Sequence, residues 1–147
     1  MEYPGYGLYK GTPNDVTIME DSEAVYDYLT KKLNIKPKNI MLFGRSIGSG
    51  PATYLASQRE VGALILMAAF TSIRAAVKEF AGKWAQYLIK ERFNNLENIP
   101  KVKCPAFLVH GQSDRMIPFT HSQELHSINR VCPSRINSIF RCVYLRK

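Results

Sequence analysis

The chain has 147 residues, 46% hydrophobic and 22% charged, with 20 Lys and Arg against 12 Asp and Glu. Collagen-like, low-complexity and intrinsically disordered chains are excluded, and one domain with its own core is expected. No apolar run approaches the ~20 residues of a membrane-spanning helix, and Met1-Glu2-Tyr3-Pro4-Gly5 lacks the features of a signal peptide, so a cytoplasmic location is expected.

Tyr3-Pro4-Gly5-Tyr6-Gly7 and Gly11-Thr12-Pro13 are rich in turn residues, and the chain opens as a loop. Thr17-Ile18-Met19-Glu20 has the form of a capping box, in which hydroxyl and carboxylate each satisfy an orphan backbone donor. It predicts a helix to about Leu33, with Ile18, Ser22, Val25, Leu29 and Leu33 lining one face at helical spacing. Acidic Glu20, Asp21 and Glu23 suit its start, Lys31 and Lys32 its end, and Asn34 and Pro37 stop it.

Residues 40–43, 63–67 and 106–109 are short apolar runs without alternation, the pattern of parallel strands buried on both faces. Helix-length segments, 48–59 and about 72–92, separate them. Strand, helix, strand, helix, strand is the order of an α/β fold, a mostly parallel sheet flanked by helices. The tail, residues 127–147, holds five basic residues and no acid, and its stretch 139–145 has the composition of a strand that would pair beside 106–109. The body shows no basic cluster on a reading element, so no nucleic-acid partner is expected. Cys104, Cys132 and Cys142 form no metal-ligand spacing and suit a reducing compartment.

Gly44-Arg45-Ser46-Ile47-Gly48 falls directly between an apolar strand and a helix. A G-x-S-x-G sequence in that context is a nucleophile elbow: the turn is too tight for bulky flanking side chains, and the serine hydroxyl is pushed out above the sheet. The alternative is a glycine-rich turn that cradles a phosphate at the helix N-terminus. A serine at its ordinary pKa needs a base, and the base needs an orienting acid. Asp114, just past the carboxyl end of the third strand, is the acid candidate, where open α/β sheets place their sites. It also reads as a turn aspartate bonding its own backbone.

The elbow motif, Phe93-Asn94-Asn95-Leu96 with Cys104-Pro105, His110-Gly111 with Asp114, and Ile117-Pro118 with His121-Ser122, together with Tyr3-Pro4-Gly5-Tyr6-Gly7, resemble the alpha/beta-hydrolase superfamily. The nearest likeness is to the abhydrolase-domain protein depalmitoylases, grouped with serine aminopeptidase-like hydrolases. The resemblance implies Ser46 as nucleophile, the Ile47 N–H as an oxyanion donor and Asp114 as triad acid. It also implies a second oxyanion N–H from a loop upstream of Tyr3, a strand beside residues 39–43, and a histidine beyond a strand that follows the acid. The chain has no histidine after His126, and Thr120-His121-Ser122-Gln123 reads as a helix start rather than a base-bearing loop.

The chain therefore reads as a partial alpha/beta-hydrolase domain over residues 1–126 with a divergent basic segment over 127–147. The implied function is hydrolysis of acyl ester or thioester bonds, protein depalmitoylation among them, through Ser46 and an acyl-enzyme. The implied substrate is an acylated protein or lipid, with no metal or organic cofactor and with room for peripheral contact at a membrane. The missing base predicts an inactive chain, and the alternatives are a non-catalytic pseudo-hydrolase or binding fragment and a serine peptidase. Phe70, Phe80, Trp84, Tyr87, Leu88 and Phe93 are either an acyl pocket or helix packing. An unprotected edge at residues 39–43 predicts self-association.

Overall fold

The computed structural model describes residues 1–12, 14–81, 93–130 and 140–145. Asn14, not Thr17, caps the first helix: its backbone is extended and its Oδ1 accepts from the Val16 N–H at 3.0 Å. Helix α1 accordingly spans Asp15–Asp27, with Thr17 already inside its first turn. A wider π-type turn, Tyr28–Lys32, carries the path to Leu33, and Asn34 ends it in the left-handed region at φ 53°. Asparagine tolerates that conformation better than most residues.

Four strands form one parallel sheet in the order β1 (Met41–Arg45), β2 (Ala63–Met67), β3 (Ala106–Gly111) and β4 (Phe140–Leu145). The strand-like stretch of the tail does extend the sheet beside β3, with Val109 opposite Val143. Between them lie α2 (Ser49–Gln58), α3 (Ile73–Ala81), the single turn α4 (Asn95–Asn98) and α5 (Thr120–Arg130). The long helix expected over residues 72–92 is present as α3 to Ala81, and the rest of it lies outside the described residues.

The strands are not buried on both faces as their composition suggested. Leu64, Leu66, Ala106 and Leu108 point into one cluster with Tyr26 of α1, Leu55 and Ala56 of α2, Ile99 in the turn after α4, and Leu125 of α5. Successive residues of a strand face opposite sides, so Met41 (69% exposed), Phe43 (63%) and Phe107 lie on the other face, which remains open among the described residues. An apolar run without alternation cannot report this, since it is equally apolar toward a helix and toward solvent.

A smaller cluster, Ile18, Phe70, Phe93 and Ile117 with Tyr3 and Ile73 against it, closes the carboxyl end of the sheet. It joins the loops that follow β2 and β3 to the start of α1. The chemistry-bearing residues sit on these loops.

Candidate active site

β1 ends at Arg45 with extended backbone, Ser46 turns at φ 51°, and a single 3-10 turn, Ser46–Gly48, leads into α2. A non-glycine residue in the left-handed region costs of order 1–2 kcal/mol, and such strain persists only where the surroundings over-determine it. The surroundings here are glycines. A Cβ on Gly44 would lie 2.8 Å from the Ala52 Cβ and would run into the Gly48 carbonyl. A Cβ on Gly50 would overlap the Phe93 ring, so Gly50 is a close-packing position rather than slack in the turn. Phe93 itself is buried at φ 50°, pressing its own turn onto the first turn of α2.

The Ser46 side chain is half-buried, and among the described residues it has no hydrogen-bond partner. The Ile47 N–H belongs to the first helical turn, whose N–H groups have no preceding intrahelical acceptor. An oxygen carrying negative charge above Ser46 would meet a donor there. Beneath the turn, the fully buried Asn95 donates from Nδ2 to the Ser49 Oγ at 3.3 Å and to the Phe70 carbonyl at 2.8 Å, while its backbone N–H reaches the Thr71 carbonyl. Asn95 thus ties the elbow helix to the loop after β2. Sequence reasoning missed this role: of the Asn94-Asn95 pair, Asn94 caps α4 in the ordinary way by accepting from the Glu97 N–H, and nothing in the spacing says that its neighbour faces inward.

Asp114 lies three residues past the end of β3. Its Oδ1 accepts from the Met116 N–H at 2.9 Å and the Ile117 N–H at 3.0 Å, and its own N–H reaches the Gly111 carbonyl. The turn-aspartate reading is therefore correct in geometry. It does not compete with the acid reading, because Oδ2 takes no part in these bonds. Since Gly44, Leu66 and Leu108 are in register, Ser46 and Asp114 share the carboxyl edge of the sheet with one strand between their own, a lateral separation of about 10 Å.

Among the described residues no histidine is hydrogen-bonded to Ser46. His121, in the first turn of α5, accepts at Nδ1 from the Thr71 N–H at 3.3 Å and pairs there with the Thr71 hydroxyl at 2.9 Å. A backbone N–H only donates, so the His121 proton is on Nε2. Burial pushes its pKa down, against the opposing pull of Glu79 and Glu124. His110 is buried on β3 and engaged with Ser122 and Ile117. His126 sits half-buried on α5. Phe70 and Phe93 are packing residues of the small cluster, while Trp84, Tyr87, Leu88 and the side chain of Phe80 lie outside the described residues. An apolar cavity of ≈ 210 Å³ borders the elbow instead, lined by Tyr3, Leu42, Phe43, Gly48, Pro51 and others on the outer side of β1. Among the described residues no cluster of His, Cys, Asp or Glu could hold a metal ion, and no helix is long and apolar enough to cross a membrane.

Comparison with known proteins places this geometry. Residues 11–129 match the model of the prolyl oligopeptidase family. The chain is 31% identical over 140 residues to the alpha/beta hydrolase domain-containing protein aho-3 of Caenorhabditis elegans, covering 95% of this chain and 40% of that one. It is 34% identical over 125 residues to human alpha/beta hydrolase domain-containing protein 17B, covering 84% and 42% respectively. It thus spans about two fifths of the length of these relatives. Among solved structures it superposes on Pyrococcus horikoshii acylaminoacyl peptidase with a TM-score of 0.69 at 15% identity, over 88% of this chain and 23% of that one. On Paleococcus ferrophilus monoacylglycerol lipase the TM-score is 0.64 at 16% identity, over 99% and 71%. At those identities the likeness is one of fold, and it is the fold of the sheet and elbow described above. The chain belongs to the prolyl oligopeptidase family and, with it, to the alpha/beta-hydrolase superfamily.

Proposed function

We propose that this chain carries the nucleophile and the acid of a serine hydrolase acting on acyl ester or thioester bonds. In this reading the Ser46 Oγ gives its proton to a base and attacks the acyl carbonyl, the Ile47 N–H receives the oxyanion, the alcohol or thiol leaves with a proton as the oxyanion collapses to the acyl-enzyme, and water then releases the acyl group from the serine. The observation that carries it is Ser46 at φ 51° between β1 and α2, on the same edge of the sheet as Asp114. A phosphate-cradling turn has no need of a strained serine. An acylated protein or lipid is the substrate class that fits the resemblance to depalmitoylases. Peptide cleavage is the second reading, favoured by the match to the prolyl oligopeptidase model.

The chain's three histidines are His110, His121 and His126. The first two are committed to other partners, and a catalytic unit lacking its base loses several orders of magnitude in rate. The 147-residue chain is therefore expected to turn over esters and thioesters negligibly and to react slowly with a fluorophosphonate probe. Imidazole added to the solution should accelerate probe labelling, with the adduct mapped to Ser46 and absent in Ser46→Ala. Fast labelling without imidazole would show that the chain contains a base after all. No labelling of folded protein with imidazole present would favour a non-catalytic binding module.

A further inference from the structure

The reading of Asp114 as the acid leaves a buried imidazole four residues before it without a role. His110 is 1% exposed and is held at both ring nitrogens: Nε2 lies 2.7 Å from the Ile117 carbonyl and Nδ1 lies 2.6 Å from the Ser122 Oγ. A carbonyl only accepts, so Nε2 carries a proton; in the neutral ring Nδ1 is then the acceptor, and the Ser122 hydroxyl donates to it. Ser122 is itself fully buried on α5, so the ring is held from a second element as well, its hydroxyl following the tautomer that the Ile117 carbonyl sets. The same Nε2 is 3.8 Å from the Asp114 Oδ2, too far for a hydrogen bond.

Ile117 is the meeting point. Its carbonyl accepts from His110 and its N–H donates to the Asp114 Oδ1, so imidazole and carboxylate grip one peptide segment from its two sides. We propose that His110 is the positioning residue of the acid: by holding the Ile117 carbonyl it fixes the turn that occupies Oδ1 and leaves Oδ2 as the oxygen presented to a base. The proposal rests on the reading of Asp114 as acid. Its immediate consequence is structural and can be measured without catalysis. A lone packing histidine would need neither a fixed tautomer nor a donor at Nε2. An apolar ring of similar volume would serve it equally well.

The test uses the full chain with His110→Phe, which keeps volume and loses both bonds, His110→Gln, which keeps an N–H donor on a longer side chain, and Ser122→Ala. In the wild type, nitrogen NMR should show His110 as the single tautomer protonated at Nε2 at neutral pH. Ser122→Ala should leave that tautomer in place, since the Ile117 carbonyl by itself requires the proton on Nε2. His110→Phe should raise amide hydrogen exchange at Met116 and Ile117 about tenfold or more, the loss expected of one buried hydrogen bond, while the amides of β1 and β2 keep their protection. Imidazole-dependent labelling of Ser46 should fall in parallel to the level of Asp114→Asn, with no further fall in the double variant and recovery in His110→Gln. A proton on Nδ1 in the wild type, unchanged exchange at Met116 and Ile117 in folded His110→Phe, or additive losses in the double variant would each overturn the proposal. If His110→Phe does not fold, the tautomer in Ser122→Ala and the labelling rate of His110→Gln decide. If the wild type shows no labelling at all, the serine-hydrolase reading fails, while the tautomer and exchange results still judge the hold on the acid turn.

Discussion

Gly50 and Gly111 show how differently two glycines of the same chain are constrained. A Cβ on Gly50 overlaps the Phe93 ring, whereas one on Gly111 meets nothing within 4 Å. Gly50→Ala is expected to destabilise by about 1–3 kcal/mol, the usual cost of overpacking, despite the better helix propensity of alanine, and Gly111→Ala to be close to neutral. Denaturant midpoints of the two variants check this, and equal midpoints would mean that Phe93 does not seat on α2 as described. His121 makes a pH prediction. Its pKa is lowered in the folded chain by burial, so the unfolded state takes up the proton first as pH falls. Its contribution is fully present above the usual histidine value of 6.5 and is lost progressively below it, as pH falls toward the folded value. Melting temperature should therefore drop between pH 7.5 and 5.5, and less so in His121→Asn, whose amide oxygen can replace Nδ1 as the acceptor for Thr71. An identical drop in the variant would remove His121 as the cause. At this scale the sequence flags a candidate nucleophile and a candidate acid, because each falls in a local pattern. Asn95 and Thr71 carry no such flag, since the side chains they meet, Ser49 and His121, lie on other elements far along the chain.

Among the elements, β1 combines the elbow with an outer position in the sheet. Among the described residues no strand lies beyond it, and Met41 and Phe43 are exposed beside the apolar cavity at Leu42 and Pro51. Unpaired N–H and C=O groups on an apolar strand are a template for another strand, so the chain is expected to self-associate at micromolar concentration through this edge. Met41→Lys should shift sedimentation toward monomer. A wild-type chain that sediments as a stable, cooperatively folding monomer would contradict this. Element type was largely readable from periodicity and turn residues. Element ends were less so: Asn14, three residues before Thr17, takes the cap because its Oδ1 accepts from the Val16 N–H. Which face of each strand is covered was not readable, because that depends on how α1, α2, α4 and α5 all gather on one side.

On the scale of the whole molecule, the parallel order β1-β2-β3-β4 is what turns scattered residues into a site. Every strand runs the same way, so every strand-to-helix loop that bears chemistry emerges at one edge, where Ser46, the loop of Ala68 to Thr71 and Asp114 gather. The family match and the superpositions on known hydrolases concern this shared frame. The central claim is that Ser46 and Asp114 act as one unit across the strand between them. The most direct test is the rate at which a fluorophosphonate labels Ser46 in the presence of imidazole, compared between the wild type and Asp114→Asn at matched folding. Cooperation predicts a fall of about tenfold or more in the variant, corresponding to at least ~1.4 kcal/mol of barrier. Equal rates in the two proteins would contradict it.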